Sequence, residues 1–472
     1  MKSCDIKTQL LSTKIAIIVA LLLGTPTAYA QSSYSPSGSY HTLGPTSTPV
    51  AHEEEQGISL GNFRLHPGFS LAGGYNSNVF YEEENEGIES TAVLRLLPSI
   101  RLESVETQKV QLGVNLQLLL DYLPNDNESI RNQSGVDILG DLGLMFGHRG
   151  VASVELYDLI RLFSDSPTAP TSQTRDHLYN EAGITVSLHP GGSERTSRLG
   201  FTGSLTAALG TDIWDADLNL NRDIFMTYLE LKYFFLPKTA LSVEVNYQNI
   251  NYDDYDRSIE IDNDDLGLEE AFSGSLVNVD SAPLRSTLGI KGLLTRQIDF
   301  SIDGGYAISS YDEGEDFSGW IADVRAGLFF TPEAHLSVGW ERGFYDSSFS
   351  NYYVFNRYSG HLNVAAGDWL VGGNGGFESR QYSHVESPVL EIAGSTIPLY
   401  SSEDRTDPLI VADTYLSWQF VDWGRISASY QFTGNLTDFV VTTGRASGPN
   451  RPNSSASQYI KHGFFLATEF EY

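Results

Sequence analysis

The stretch Val110-Gln-Leu-Gly-Val-Asn-Leu-Gln-Leu-Leu-Leu-Asp-Tyr122 alternates with a period of two. Val110, Leu112, Val114, Leu116, Leu118, Leu120 and Tyr122 fall on one face, and Gln111, Gly113, Asn115, Gln117 and Asp121 on the other. Successive side chains of a strand point to opposite sides of its sheet, so this is a strand with one apolar and one polar face. The pattern returns at Leu241/Val243/Val245/Tyr247 against Ser242/Glu244/Asn246/Gln248, and at Ile426/Ala428/Tyr430/Phe432 against Arg425/Ser427/Ser429/Gln431. Globular sandwiches and membrane barrels both alternate this way, so a second observation has to separate them.

The connections supply it. About eighteen strands are expected, starting near Arg64, Thr91, Val110, Ser134, Val151, His177, Ser197, Met226, Ala240, Pro283, Ile298, Ser318, His335, Asn356, Trp369, Pro408, Arg425 and Gln458. After even-numbered strands the links are tight, as in Gly147-His-Arg-Gly150, Leu236-Pro-Lys-Thr239, Thr331-Pro-Glu-Ala334 and Val421-Asp-Trp-Gly424. After odd-numbered strands they are long and polar, as at 82–90, 164–176, 252–282, 382–406 and 437–457. A transmembrane barrel sorts its links in this way, with short periplasmic turns and long outer loops. The expected fold is therefore an all-β, antiparallel up-and-down transmembrane barrel of about 16–18 strands, with both termini periplasmic. Alternation then puts Glu244, Glu341, Asp413 and Arg425 on the lumen side.

Both ends of the chain fit export. Lys2, Lys7 and Lys14 precede or flank the apolar run from Ile15 to Leu23, and Ala28-Tyr29-Ala30 supplies small residues for cleavage before Gln31. Residues 1–30 read as a signal peptide, 31–56, rich in Ser, Pro, Thr and Gly, as a flexible periplasmic segment, and 57–472 as the barrel. The single cysteine, Cys4, lies in the leader, so no disulfide framework is expected. At the other end Phe464, Leu466, Thr468, Phe470 and Tyr472 share one face and the chain stops on an aromatic. That ending resembles the signal read by the outer-membrane assembly machinery, which becomes an expected partner alongside outer-membrane lipid.

Composition removes other functions. With 29 Lys+Arg against 60 Asp+Glu the formal charge is −31, which is unsuited to a nucleic-acid partner. There is no H-E-x-x-H and no P-loop, and Gly372-Gly-Asn-Gly-Gly376 lacks the strand-then-helix setting of a dinucleotide site. No catalytic residue and no cofactor is expected. The loop Asp253 to Glu270 holds nine carboxylates and one Arg, with Asp262, Asp264 and Asp265 as a weak metal candidate. Its EF-hand pattern fails at Leu266, where an oxygen ligand is needed. With Glu82 to Glu86 in the first long loop, it gives an acidic outer mouth that repels anions. Tyr352-Tyr353, Phe355 and Tyr358 are read chiefly as an interface girdle, with stacking on sugars as the alternative.

Gly57-Ile-Ser-Leu-Gly61 followed by Phe63-Arg-Leu-His-Pro-Gly-Phe-Ser-Leu-Ala-Gly-Gly-Tyr-Asn-Ser-Asn-Val-Phe80 resembles the opening of the β-barrel porin 2 family. The likeness centres on Tyr75, Asn78, Val79 and Phe80. What it implies is an outer-membrane barrel of a Gram-negative bacterium forming part of a translocation route for secreted or surface polysaccharide, with a periplasmic polysaccharide-export protein as partner. The residues themselves leave two other readings open. One is a passive diffusion porin for small neutral or cationic solutes, and the other is a structural or adhesive barrel with a plugged lumen.

Overall fold

The computed structural model describes residues 57–80, 88–105, 109–148, 150–165, 175–190, 200–214, 221–253, 259–261, 270–273, 279–347, 350–382, 389–392, 395–398, 405–443, 453–456 and 458–472. The expected cleavage residues Ala28, Ala30 and Gln31, and the metal candidates Asp262, Asp264 and Asp265, lie outside them.

Eighteen long strands run up and down in chain order. They are β1 Phe63–Asn76, β2 Thr91–Ser104, β3 Val110–Tyr122, β4 Gly135–Phe146, β5 Ala152–Asp165 and β6 Arg175–Leu188. Next come β7 Phe201–Trp214, β8 Arg222–Leu236, β9 Thr239–Tyr252, β10 Ser281–Leu293, β11 Ile298–Tyr311 and β12 Phe317–Thr331. The last six are β13 Ala334–Asp346, β14 Tyr352–Ala366, β15 Trp369–Tyr382, β16 Arg405–Val421, β17 Gly424–Asn435 and β18 Tyr459–Glu471. Each pairs antiparallel with its neighbours, and β1 also pairs with β18, from Gly68 opposite Glu471 to Asn76 opposite Gly463. That last ladder closes the sheet on itself and leaves no edge in the wall.

Both ends of the barrel wall, Phe63 and Glu471, lie at the rim with the tight links, here called the turn end. Three of those turns are tightened by a register shift next to the link, at Thr239/Ala240, Phe329/Thr331 and Gln419/Val421. A bulge adds local twist, which lets a short link reverse the chain. Gly147 takes φ 70° in another turn, and a Cβ there would sit 2.7 Å from the Ala152 carbonyl oxygen. The opposite rim, the loop end, carries the short helix Glu128–Arg131, capped by Asn127, between β3 and β4. Two loop-end connections depart from the expected length, since 312–316 and 347–351 hold only five residues each.

The apolar faces point outward. Leu209 is 66% exposed and Leu466 61%, and Leu71, Leu205, Leu288 and Val338 are also more than half exposed. A continuous apolar surface of that kind is stable when lipid covers it. Aromatic rings border it at both rims. Trp369 stacks on Trp418 with centroids 6.0 Å apart at the turn end, with Trp423 and Phe470 nearby. Toward the loop end Trp320 faces Trp340, Tyr358 faces Phe377 and Tyr430 faces Phe464. Trp320 and Phe330 on one strand are ten residues apart, about 23 Å of height for a strand tilted by about 45°. That height matches the apolar band of an outer-membrane-type barrel, about 25 Å. Phe464, Leu466, Phe470 and Tyr472 lie on this outer face.

In the strand pairs Gly73-Gly74 and Gly304-Gly305 only the inward glycine is crowded. Outward Gly73 and Gly304 have nothing near a would-be Cβ, whereas inward Gly74 would meet the Phe465 ring at 2.3 Å and Gly305 the Ser286 carbonyl at 1.9 Å. The register at both is regular. The four apolar clusters among the described residues all lie in the loop-end half.

Face assignment predicts an asymmetry in mutational cost. Leu209→Arg, placed against lipid near mid-height, is expected to lower the free energy of folding into vesicles by about 2–4 kcal/mol. Ser204→Arg, on the inner face of the same strand opposite Glu230, is expected to cost less than about 1 kcal/mol. Equal losses in urea titrations would overturn the assignment.

Candidate permeation pathway

Inside, the polar faces of all eighteen strands line one lumen, and their charges are organised by strand register. Gly289, Asp303, Asp323, Glu341, Arg357 and Glu378 stand directly opposite one another on successive strands β10 to β15. Three carboxylates abreast repel one another, and like charges at paired positions destabilise a sheet. Cations two residues away, or on the adjoining strand, offset this. Lys291 bonds Glu244 and lies 3.5 Å from Asp303. Arg325 holds Asp323 with two bonds of 3.0 and 2.6 Å. Arg357 donates to Glu341 at 3.1 Å and to Glu378 at 2.7 Å, and Arg380 takes the other Glu378 oxygen at 2.6 Å.

The rest of the wall is paired by the same device. Arg95 grips Asp121 with bonds of 2.7 and 2.6 Å, and Asn115 donates to Asp141 at 3.1 Å. Tyr157 and Tyr179 both donate to Glu181, at 2.7 and 2.5 Å. Arg222 donates to Asp212 at 3.0 Å, and Arg405 to Asp407 at 2.7 Å. Charge-assisted and bidentate bonds of this kind are among the stronger ones available to a side chain.

Each of the four lumen candidates has a place in this network. Glu244 is bonded to Lys291, Glu341 accepts from Arg357, Asp413 accepts from Asn374 at 2.8 Å, and Arg425 donates to Glu469 at 2.6 Å. The network does not gather them into one site, since they stand on β9, β13, β16 and β17. Sequence reading missed Asp303, Asp323, Arg357 and Glu378, the residues that make the row continuous. Their signal was present as charged residues at alternate positions, but the register that aligns them is a pairwise property of neighbouring strands.

The word around Tyr75 has a structural account. Tyr75 lies on the outer face. Asn78 is fully buried and donates to the Ile460 carbonyl at 3.2 Å, tying the end of β1 to β18. Val79 packs with Leu123 and Ile130, and Phe80 lies against them. The sequence reading counts no G-x-S-x-G, and that is wrong, since Gly57-Ile-Ser-Leu-Gly61 spells one. A nucleophile elbow needs a strand-to-helix turn. Here Ile58–Leu60 is a short strand folded back on β1, with Ile58 opposite Leu65, so that setting is absent. The aromatic group divides too: Tyr358 belongs to the outer belt, whereas Tyr353 and Phe355 are buried inside.

No family model matches the chain, and no curated protein sequence does. Among solved structures it is similar to OpdK of Pseudomonas aeruginosa with vanillate, at 8% identity over 86% of this chain and 99% of that one, TM-score 0.42. It is similar to a BenF-like porin from Pseudomonas fluorescens Pf-5, at 9% identity over 86% and 99%, TM-score 0.44. It is also similar to the siderophore receptor PirA from Pseudomonas aeruginosa, at 10% identity over 87% and 80%, TM-score 0.41. What those proteins bind is a property of theirs. The likeness of Tyr75 to Phe80 to the β-barrel porin 2 family rests on those residues alone.

Glu378 is the most exacting member of the wall, being 1% exposed and shared by two arginines. Glu378→Gln leaves Arg357 and Arg380 short of countercharge, and breaking a buried pair costs about 3–5 kcal/mol. The variant is expected to unfold at clearly lower urea than the parent, while Arg325→Gln, whose partner Asp323 is nearer water, shifts the midpoint little.

Proposed function

We propose that the chain is a passive outer-membrane diffusion channel for small hydrophilic solutes, favouring cations and neutral molecules over anions. The observation that carries this reading is the carboxylate row Asp303, Asp323 and Glu341 on the inner wall of a closed barrel. The acidic runs at 82–86 and 253–270 add to it. They belong to the links from β1 to β2 and from β9 to β10, which leave the barrel at the loop end. Negative charge at a mouth raises the local concentration of cations, and low-dielectric walls focus that field.

Diffusion suits the wall chemistry. Conduction requires contacts strong enough to admit a solute and weak enough to release it. Charges already paired with their neighbours offer polar surface without a deep binding well. The sequence carries no nucleotide-binding motif, so a concentration gradient is the driving force this reading requires. The polysaccharide route implied by the first strand is less favoured, because aromatic layers packed at the loop end suit a small solute better than a polymer.

Purified protein in planar bilayers with a salt gradient is expected to show a reversal potential of cation-selective sign. Raising the salt should weaken that preference, because the Debye length falls from about 8 Å at physiological ionic strength to about 3 Å at 1 M. Asp323→Asn together with Glu341→Gln should reduce the preference further. Anion selectivity of the parent protein would overturn the charge argument.

A further inference from the structure

Alternation fails in one part of the chain. Phe344-Tyr345 and Tyr352-Tyr353-Val354-Phe355 are consecutive apolar or aromatic residues on neighbouring strands. A strand between lipid and a wet lumen alternates, whereas one that is apolar on both faces is buried on both. The ladders show how. Pairing between β12 and β13 stops at Ala322 opposite Arg342, while β13 and β14 remain paired out to Asp346 opposite Tyr352. The tip of this hairpin therefore parts from β12.

It moves inward. Ser281, Arg285, Ala307, Tyr311, Phe317 and Ile321 share the side of their strands with Lys291, Asp303 and Asp323, so they belong to the inner wall. Phe344 stacks on Phe317 with centroids 3.9 Å apart and packs with Ala307, Tyr311 and Ile321. Asp346 accepts from the Ser281 hydroxyl at 2.6 Å and from the Tyr311 hydroxyl at 2.8 Å. Arg285 donates to the Phe344 carbonyl at 2.9 Å, with its guanidinium 4.6 Å from that ring's centroid. These contacts reach β10 and β11, beyond the adjoining strand. On the hairpin's other face Tyr345 stacks flat on Phe355 at 5.0 Å, and Tyr353, Phe355 and Tyr382 pack against Phe439 from the link between β17 and β18. Phe344 and Phe355 point to opposite faces and each is only 1% exposed.

The sheet thus laps over itself at the loop end, with the tips of β13 and β14 inside those of β10 to β12. We infer that this lap is the constriction that sets the size limit of the channel, and that Asp346 is the specificity-determining residue that latches it. The inference rests on the diffusion reading and adds where selection by size occurs. The latch is polar and local: one carboxylate bridges hydroxyls from two strands, so losing it frees the tip without touching the closing ladder between β1 and β18.

The test measures single-channel conductance, and the uptake of sugars of increasing size by vesicles, for the parent, Asp346→Ala and the pair Ser281→Cys/Asp346→Cys with Cys4→Ser. Retained heat-resistant migration on gels certifies folding. Asp346→Ala is expected to raise conductance by at least about twofold and to admit larger sugars, since a wider neck conducts more. The double-cysteine protein provides the comparison within one folded molecule, resembling the parent when oxidised and Asp346→Ala when reduced. A conducting parent whose conductance and size limit are the same in all forms overturns the inference and leaves the diffusion reading standing. A closed parent opened by Asp346→Ala keeps the lap as a barrier and defeats the open-channel reading. Silence of every folded form overturns both.

Discussion

In hydrocarbon there is no water to satisfy a backbone N–H or C=O, so a sheet that crosses it must have no free edge. The ladder between Gly68–Asn76 and Gly463–Glu471 meets that requirement here. Once the sheet is closed, every strand has a lipid side and a lumen side, and the period of two decides which residues go where. Leu112, Leu205 and Leu466 go out, while Asp141, Glu244 and Glu469 go in. An exception shows the rule's strength: Asp158 is on the outer side, opposite Leu142, and there it accepts a 2.7 Å bond from Asn180 on the next strand. A polar group facing lipid is stabilised by a partner at the same depth.

Closure also dictates how the interior is stabilised. A wide barrel has no central apolar core, so the inner wall gains order from side-chain pairs between adjacent strands. The register brings Glu341, Arg357 and Glu378 abreast. Arginine suits this setting because its planar fork can serve two carboxylates at once and its flat face can lie over an aromatic ring. Arg357 does both, bonding Glu341 and Glu378 with its guanidinium 4.9 Å from the Phe355 ring centroid. Arg405 lies over both Tyr382 and Phe439 while bonded to Asp407. These layered contacts join the charged wall to the aromatic lap without an intervening seam.

Much of the architecture was legible in the sequence because alternation and link length are local signals. Strand starts at Thr91, Val110, Ile298 and Trp369 coincide with expectation, and most others fall within two residues. The larger errors are at Ser197, four residues before β7, at Met226 and Asn356, four residues inside β8 and β14, and at Pro408, three inside β16; at β8 the acidic stretch around Asp212 and Asp223 reads as loop when it is strand. Asp212 is nearly fully buried and paired with Arg222 on β8. Buried charge in a barrel wall looks like solvated charge until its partner's register is known. The lap escaped for the converse reason: Tyr352, Tyr353 and Phe355 have the composition of a membrane girdle, and only the end of the β12–β13 ladder distinguishes an interior layer from an interfacial one. The five-residue link at 347–351 was the available hint, since a short connection at the rim of long ones holds two strands tightly together.

The charge of the molecule and the charge of its lumen are separate quantities. The chain carries −31, yet Arg95, Arg222, Lys291, Arg325, Arg357, Arg380, Arg405 and Arg425 each hold a carboxylate in the wall. Much of the surplus acid therefore belongs to segments outside these pairs, with the links at the loop end prominent among them. That division suits a channel. Wall carboxylates held by neighbouring donors, such as Asp323 by Arg325 and Asp413 by Asn374, offer cations a favourable surface without a deep trap, and acid in the loop-end links adds to their local supply. Selection by sign along this acidic path and selection by size at the lap act in series, each built from residues the other does not use.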